Sequence, residues 1–174
     1  MRTGKNIVKE YYKADKASRF EYLYDNFRVR ESVLSCEKSC LTYTIKMTLL
    51  KESWSDYCER FVGKESRRST KARIYECLEN DKPIDCLPEG LGLSEVVIDA
   101  YKNFALMQEE FSIFAKTLKT LGRADEDLLR RYITEEITLW DIADERKISY
   151  ETAKGKIRDL KKELKKRTLA SFVA

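Results

Sequence analysis

Lysine and arginine side chains are concentrated near the end of this chain of 174 residues. Residues 146–167 contain ten basic and three acidic side chains, whereas residues 124–145 contain two basic and eight acidic ones. Ammonium and guanidinium groups neutralise phosphates, and those at the start of a helix also hydrogen-bond to base edges in the major groove. The pattern predicts nucleic-acid binding by one short segment, although the net charge of the whole chain is only +4.

Two short helices joined by a tight turn are predicted to position these cations. Thr138 is the predicted N-cap of the first helix, and Ser149 is the predicted N-cap of the second. Ile148 fills the turn between them with an apolar side chain. The side chains predicted to face inward are Leu139, Ile142 and the small Ala143 from the first helix, and Thr152, Ala153, Ile157, Leu160 and Leu164 from the second. This arrangement is typical of a helix-turn-helix DNA-binding domain.

The candidate DNA contacts lie on the second helix and in the turn before it. A recognition helix contacts bases with its first turns and phosphates with the cations that flank them. The candidates for base contacts are Tyr150, Glu151, Lys154 and Arg158. The candidates for phosphate contacts are Lys147, Ser149, Lys156, Lys161 and Lys162, and Thr152 completes the set of DNA-binding candidates. For the basic residues at 165–167, a solvated helical face is the alternative interpretation.

No catalytic machinery is recognisable in the sequence. The chain has no histidine, no glycine-rich phosphate-binding loop, and no carboxylates or cysteines in a known catalytic frame. We therefore predict that the protein is not an enzyme and that it uses no cofactor.

All five cysteines lie in the first half of the chain. Cys36 and Cys40 are spaced to share one helical face and could bind a metal, but the other three lack paired spacing. The favoured prediction is that the cysteines are small buried apolar side chains, so no metal site is predicted. Because the sequence has no secretory signal and no apolar run of about 18 residues, we expect reduced thiols, a cytoplasmic location and no membrane partner.

The low content of helix breakers favours an all-α protein, since the chain has only six Gly and two Pro residues. We predict an N-terminal helical domain at residues 1–80, with helix breaks near residues 15–18 and 29–32. Residues 81–93 form a predicted loop or linker, with a degenerate second helix-turn-helix near residues 91–100 as the less favoured alternative. A connecting helix over residues 94–122, ended by Gly122 as C-cap, then leads into the helix-turn-helix domain at residues 123–174.

The helix-turn-helix segment resembles region 4 of bacterial sigma factors, particularly those of the extracytoplasmic-function class. The likeness is carried by residues 138–143 (TLWDIA), by Ile148 and Ser149 in the turn, and by residues 152–157 (TAKGKI) with the Lys- and Leu-rich continuation. In that family the motif binds an upstream promoter element and packs against the β-flap of RNA polymerase. The resemblance therefore implies double-stranded DNA and bacterial RNA polymerase as partners. Arg146 departs from the family pattern, which usually has an apolar residue at this position.

The arrangement of the whole chain is similar to that of phage late-gene transcription activators of the ArpU and RinA type. These are small helical proteins with an N-terminal helical part, a long helix and a C-terminal domain like sigma region 4. Residues 1–90 lack the signatures of the promoter-melting region that a complete sigma factor requires. The resemblance implies a sigma-like activator of phage or mobile-element origin.

Three functions follow from these observations, and the first is the leading hypothesis. It is a sequence-specific transcriptional regulator that acts with host RNA polymerase. A homodimer is a candidate assembly for such a regulator, because one motif contacts only a short half-site of DNA. The second is a complete alternative sigma factor. The third is a non-enzymatic adaptor that uses the helix-turn-helix fold to dock another protein, for which salt should weaken binding less steeply than it weakens DNA binding.

Overall fold

The computed structural model describes residues 11–51 and 95–172 of the chain. In these two ranges the chain forms helices and turns, with no strand, and the predicted all-α class is confirmed. The helices are α1 (Lys16–Asn26), α2 (Arg30–Lys51), α3 (Glu95–Lys119), α4 (Arg123–Ile133), α5 (Leu139–Arg146) and α6 (Tyr150–Ser171), with 3-10 turns at Tyr11–Lys13 and Phe27–Val29. None of these helices is long and apolar enough to cross a membrane.

The described residues belong to two units. The first contains residues 11–12, 34–51 and 95–106, and the second contains residues 13–33 and 107–172. In the first unit the Tyr12 hydroxyl donates a hydrogen bond of 2.6 Å to Asp99 Oδ1, and the Tyr12 backbone N–H donates to Asn103 Oδ1 at 3.1 Å. The second unit contains all the predicted DNA contacts. The predicted domain boundaries stay predictions, and the predicted linker at residues 81–93 lies outside the described residues.

The start of α1 follows from its sequence. Asp15 is the N-cap, and its Oδ1 accepts a hydrogen bond of 2.9 Å from the Ser18 backbone N–H. Hydrogen bonds from the Ser18 backbone and hydroxyl lower the pKa of the Asp15 carboxyl, because they stabilise its charged form. The break predicted near residues 15–18 is therefore the cap of α1. The second predicted break corresponds to the 3-10 turn Phe27–Val29, after which α2 begins at Arg30.

An aromatic cluster packs α1 against the end of α3 within the second unit. Phe20 and Phe114 are fully buried, and their ring centroids are 5.7 Å apart. Phe27 is also buried, with its ring centroid 5.0 Å from that of Phe114. Aromatic pairs at these distances add favourable quadrupole interactions to the large apolar area that they bury. The aromatic spacing of the N-terminal segment thus serves packing at these positions.

A buried ion pair lies beside this cluster. The side chains of Arg19 and Glu110 are 9% and 1% exposed, and Arg19 Nε donates to both Glu110 carboxylate oxygens at 3.0 and 3.1 Å. Arg19 Nη1 also donates to the Ala14 carbonyl oxygen at 2.8 Å, and the guanidinium lies 5.7 Å from the centroid of the Phe172 ring. The pair therefore links α1 with α3, and through the Phe172 ring it also contacts the end of α6. Because both side chains are buried, water cannot solvate either charge in place of the other.

The predicted role of Gly122 is wrong. The long helix α3 ends at Lys119, before Gly122, and Gly122 is instead the N-cap of α4. Its carbonyl oxygen accepts hydrogen bonds from the backbone N–H groups of Asp125 and Glu126 at 3.1 and 2.8 Å. Gly122 has φ of 94°, a conformation that glycine adopts without steric cost. The glycine therefore starts a helix at a sharp turn, where the sequence pattern had predicted a helix end.

The predicted burial of the cysteines is wrong for the two that the structure describes. Cys36 and Cys40 both lie on the exposed side of α2, which buries Glu37 and Leu41 instead. Burial raises the pKa of the Glu37 carboxyl, because a low-dielectric environment disfavours its charged form. Cys58, Cys77 and Cys86 lie outside the described residues.

We expect Arg19→Met to lower the free energy of unfolding by about 3–5 kcal/mol, because it removes the guanidinium that pairs with the buried Glu110 carboxylate. The double variant Arg19→Met with Glu110→Leu should recover most of that loss, since no uncompensated charge remains. Urea unfolding followed by circular dichroism measures both effects. Arg28→Met is the matched control, because Arg28 pairs with Glu135 at the surface, and it should change stability by about 1 kcal/mol or less. Equal losses in the single and double variants would contradict this account.

Candidate nucleic-acid interface

The first helix of the predicted motif is α5, and it begins with a capping box. The Thr138 backbone N–H and hydroxyl each donate to Asp141 Oδ2 at 2.7 Å, while the Asp141 N–H donates to Thr138 Oγ1 at 3.3 Å. These bonds, the one from the Thr138 backbone above all, lower the pKa of the Asp141 carboxyl. The prediction that Thr138 caps this helix is confirmed. A reciprocal box of this kind fixes the helix start through contacts local in sequence.

The turn between α5 and α6 is a Schellman motif. The Lys147 N–H donates to the Asp144 carbonyl oxygen at 3.3 Å, and the Ile148 N–H donates to the Ala143 carbonyl oxygen at 3.0 Å. This geometry requires a left-handed residue after the helix, and Lys147 supplies it with φ of 52° and ψ of 46°. The Lys147 side chain is exposed at the surface. A lysine therefore occupies a position where glycine would relieve steric strain.

The second helix, α6, begins at the predicted cap. Ser149 Oγ accepts a hydrogen bond of 3.1 Å from the Thr152 backbone N–H and lies 2.8 Å from Thr152 Oγ1. Most of the predicted inward face is buried, with Ala153 and Leu164 fully buried and Ile157 6% exposed. The inward orientation predicted for Thr152 is wrong, because this residue is exposed in the first turn of the helix. The short Ser149–Thr152 contact holds its hydroxyl at the cap.

The exposed surface of α6 brings several of the predicted contacts together. At about 100° per residue, Glu151, Lys154, Arg158 and Lys162 fall within one arc of about 80°. All four are exposed. Lys154 Nζ is 4.0 Å from Glu151 Oε2, and Arg158 Nε is 3.5 Å from Asp159 Oδ1. These distances belong to weak surface pairs that phosphates could displace at little cost.

Two predicted phosphate contacts, Lys156 and Lys161, lie outside this arc, and each is paired with a carboxylate of another helix. Lys156 projects from another side of α6, where its Nζ is 3.3 Å from Asp125 Oδ1 at the start of α4. Lys161 Nζ is 2.7 Å from Glu21 Oε2 on α1, and it lies 4.1 Å from the centroid of the Tyr24 ring. Both ammonium groups therefore contribute to contacts between helices of this unit.

Glu21 connects α1 to two successive turns of α6. Its second carboxylate oxygen, Oε1, lies 2.7 Å from Lys165 Nζ. Partial burial opposes ionisation of Glu21, but the hydrogen bonds from Lys161 and Lys165 outweigh it and lower the pKa of the carboxyl. Two cations in the C-terminal half of α6, Lys161 and Lys165, are thus paired with α1, whereas Lys154, Arg158 and Lys162 have no carboxylate of α1 among the partners that the structure describes.

An ion pair between α4 and α5 holds one carboxylate of the acidic segment that precedes the basic helix. The Arg131 guanidinium donates to both carboxylate oxygens of Glu145, at 2.9 and 3.2 Å. The hydrogen bonds that Arg131 donates to Glu145 raise the pKa of Arg131, because they stabilise its charged form. Arg146, the residue that departs from the sigma pattern, is exposed at the end of α5. The packing of α5 therefore relies on Ile142 and Ala143, which are 0% and 6% exposed.

Trp140 is a surface residue that the sequence interpretation missed. Its side chain is 67% exposed, and its ring centroid lies 4.6 Å from that of Tyr150, the first residue of α6. The sequence did contain a signal for its exposure. Trp140 is the second residue of α5 and does not share the helical face of Leu139, Ile142 and Ala143. Large exposed aromatic side chains beside a predicted contact surface favour a role in binding.

No protein-family model matches the chain, and no curated protein or solved structure is significantly similar to it.

The Glu21 contact predicts a pH-dependent contribution to stability. Because its pKa is lowered on folding, the contribution is complete above the ordinary carboxyl pKa and disappears as the pH falls through the lower folded-state value. Glu21→Gln should lower the free energy of unfolding by about 1 kcal/mol or less at neutral pH, and the loss should become smaller at an acidic pH, where the Glu21 carboxyl is increasingly protonated in the folded state as well. Urea midpoints at the two pH values measure the difference. Glu31→Gln is the control, since the Glu31 side chain is 89% exposed, and an equal loss at both pH values would refute the ion-pair account.

Proposed function

We propose that this protein is a sequence-specific DNA-binding transcriptional regulator that contacts the major groove with the first turns of α6. The observation that carries the proposal is the exposed arc of Lys154, Arg158 and Lys162 on a helix that is capped by Ser149 and held against α5 by its buried face. This combination presents cations from a rigid element, as a recognition helix does. The resemblance to sigma region 4 supports a sigma-like activator from a phage or mobile element that acts with host RNA polymerase.

The chemistry of the arc suggests how the contacts are divided. Lys154 and Arg158 are donors that suit the O6 and N7 acceptors of guanine, and the Glu151 carboxylate suits the N4 amino group of cytosine. Lys147 and Ser149 lie at the turn before the helix, where the backbone of DNA would pass. Lys162 lies farther along the same arc and is a candidate for a phosphate contact.

The remaining candidates fit the proposal less directly. Lys156 and Lys161 could bind phosphates only if they released Asp125 and Glu21, to which their ammonium groups lie at 3.3 and 2.7 Å. Exchanging a carboxylate for a phosphate gains little net charge interaction, because one anion replaces another. We therefore assign the dominant contribution to Lys154, Arg158 and Lys162.

Selection of bound fragments from a random duplex library, with the full chain as bait, is the direct test of the proposal. A recovered consensus sequence would support it and would give the symmetry and spacing of the site. Recovery of no consensus, with binding that does not differ between fragments, would overturn sequence-specific recognition.

Lys154→Ala combined with Arg158→Ala should abolish specific binding to the selected fragment. If either cation contacts a phosphate instead of a base, its loss should also reduce the slope of log affinity against log salt by about 0.9. Gel-shift titration at several salt concentrations measures both quantities. The matched control is Lys116→Ala combined with Lys119→Ala, which removes two exposed cations from α3. Equal effects from both double variants would refute a localised interface.

Lys147→Gly separates the DNA contact from the stability of the turn. Glycine favours the left-handed conformation at this position, so we expect the free energy of unfolding to rise by up to about 1 kcal/mol. Loss of the side chain should weaken DNA binding at the same time, with a salt slope reduced by about 0.9. Glu135→Gly is the matched control, because Glu135 has φ of 59° in the turn between α4 and α5. Unchanged DNA affinity in Lys147→Gly would remove Lys147 from the interface.

A further inference from the structure

A groove on the second unit lies beside the start of α6, and we call it the aromatic groove. It has a volume of about 490 Å³, and its walls include Tyr24, Tyr132, Trp140 and Tyr150, with the carboxylates of Asp25 and Glu135. The residues come from α1, α4, α5, α6 and the turn between α4 and α5. This volume falls in the range of sites that hold one or two side chains or a small molecule.

The aromatic surface of the groove is available to a partner. Among the described residues, Trp140 is the most exposed of the large hydrophobic side chains, at 67%. The indole packs against the Tyr150 ring, with the two ring planes tilted by 37°, and this contact reduces the side-chain freedom that would be lost on binding. Rigid, exposed Trp and Tyr side chains are the residue types that dominate the energetics of protein interfaces.

The charge of the groove favours a cationic occupant. Asp25 is exposed and has no ion-pair partner among the described residues, while Glu135 has only the exposed Arg28 as a partner. Carboxylates at the rim repel phosphate and attract ammonium or guanidinium groups. The faces of Trp and Tyr rings attract the same cations through their quadrupoles. One such cation–π contact is already present, because the Lys161 ammonium lies over the Tyr24 ring at 4.1 Å from its centroid.

We propose that the aromatic groove binds a segment of a partner protein that inserts an arginine or lysine side chain next to an apolar one. The cation would stack on Trp140 and face Asp25, and the apolar side chain would bury the remaining aromatic surface. The groove is too small for a whole helix, so the contact is a docking point for one or two side chains of an exposed segment. This interaction does not require DNA, and it therefore extends beyond the proposed function.

A phage-displayed library of random short peptides, selected on the full chain without DNA, tests the proposal. We expect the enriched peptides to carry Arg or Lys beside an aliphatic or aromatic residue. The best peptide, synthesised with a fluorescent label, should lose affinity by about tenfold for Trp140→Ala and for Asp25→Lys in anisotropy titrations. Tyr43→Ala is the matched control, because Tyr43 is 65% exposed at a place outside the groove, and it should bind the peptide as the wild type does.

Three outcomes would overturn the proposal. The first is enrichment of peptides without basic residues, or of peptides whose affinity is unchanged in both groove variants. The second is a self-association of the wild type in sedimentation that Trp140→Ala abolishes, which would make a second copy of this chain the occupant. The third is loss of DNA affinity in Trp140→Ala without any peptide binding by the wild type, which would assign the groove to DNA. Because the peptide assay contains no DNA, failure of the DNA-binding proposal would leave its result unaffected.

Discussion

The buried ion pair between Arg19 and Glu110 is the constraint on which the arrangement of the second unit depends. A guanidinium and a carboxylate withdrawn from water must remain together, since separating them would leave a charge without compensation in a low-dielectric interior. The pair fixes α1 against the end of α3, and Phe20, Phe27 and Phe114 complete that contact. With α1 held in this position, Glu21 and Tyr24 reach the basic helix α6.

The consequence is a basic helix whose cations fall into two groups, those paired with other helices and those on the exposed arc. In the first group, Lys161 and Lys165 share the Glu21 carboxylate and act as cross-links between helices. On the exposed arc, Lys154 and Arg158 have only loose surface partners. The density of basic residues along the sequence does not show which cations are paired between helices, but the packed structure does. The proposed DNA contacts therefore follow the exposed arc of Lys154, Arg158 and Lys162, which begins just after the Ser149 cap and the α5–α6 turn.

The aromatic groove adds a second surface to the same start of α6. Tyr150 belongs both to the first turn of the proposed recognition helix and to the stack with Trp140. A protein segment in the groove and DNA on the exposed arc would thus meet neighbouring residues of one rigid element. The opposite charges of the two surfaces, carboxylates around the groove and cations on the arc, would keep the two kinds of partner apart.

The sequence by itself determined the features that depend on neighbouring residues. Local hydrogen bonds and helical periodicity give rise to the helix content and to the caps at Thr138 and Ser149, and both are present. The same periodicity explains the buried positions of Ile142, Ala153, Ile157 and Leu164. The tertiary structure alone decided which cations are paired, which side of α2 is exposed with Cys36 and Cys40, and that the ring of Trp140 packs against that of Tyr150. The pairing of the cations depends on how distant segments pack, as in the Glu21–Lys165 contact across 144 positions of the chain. Residue type and spacing specify which side chains a helix turns inward, whereas the partner of a surface charge is fixed only when the helices have packed.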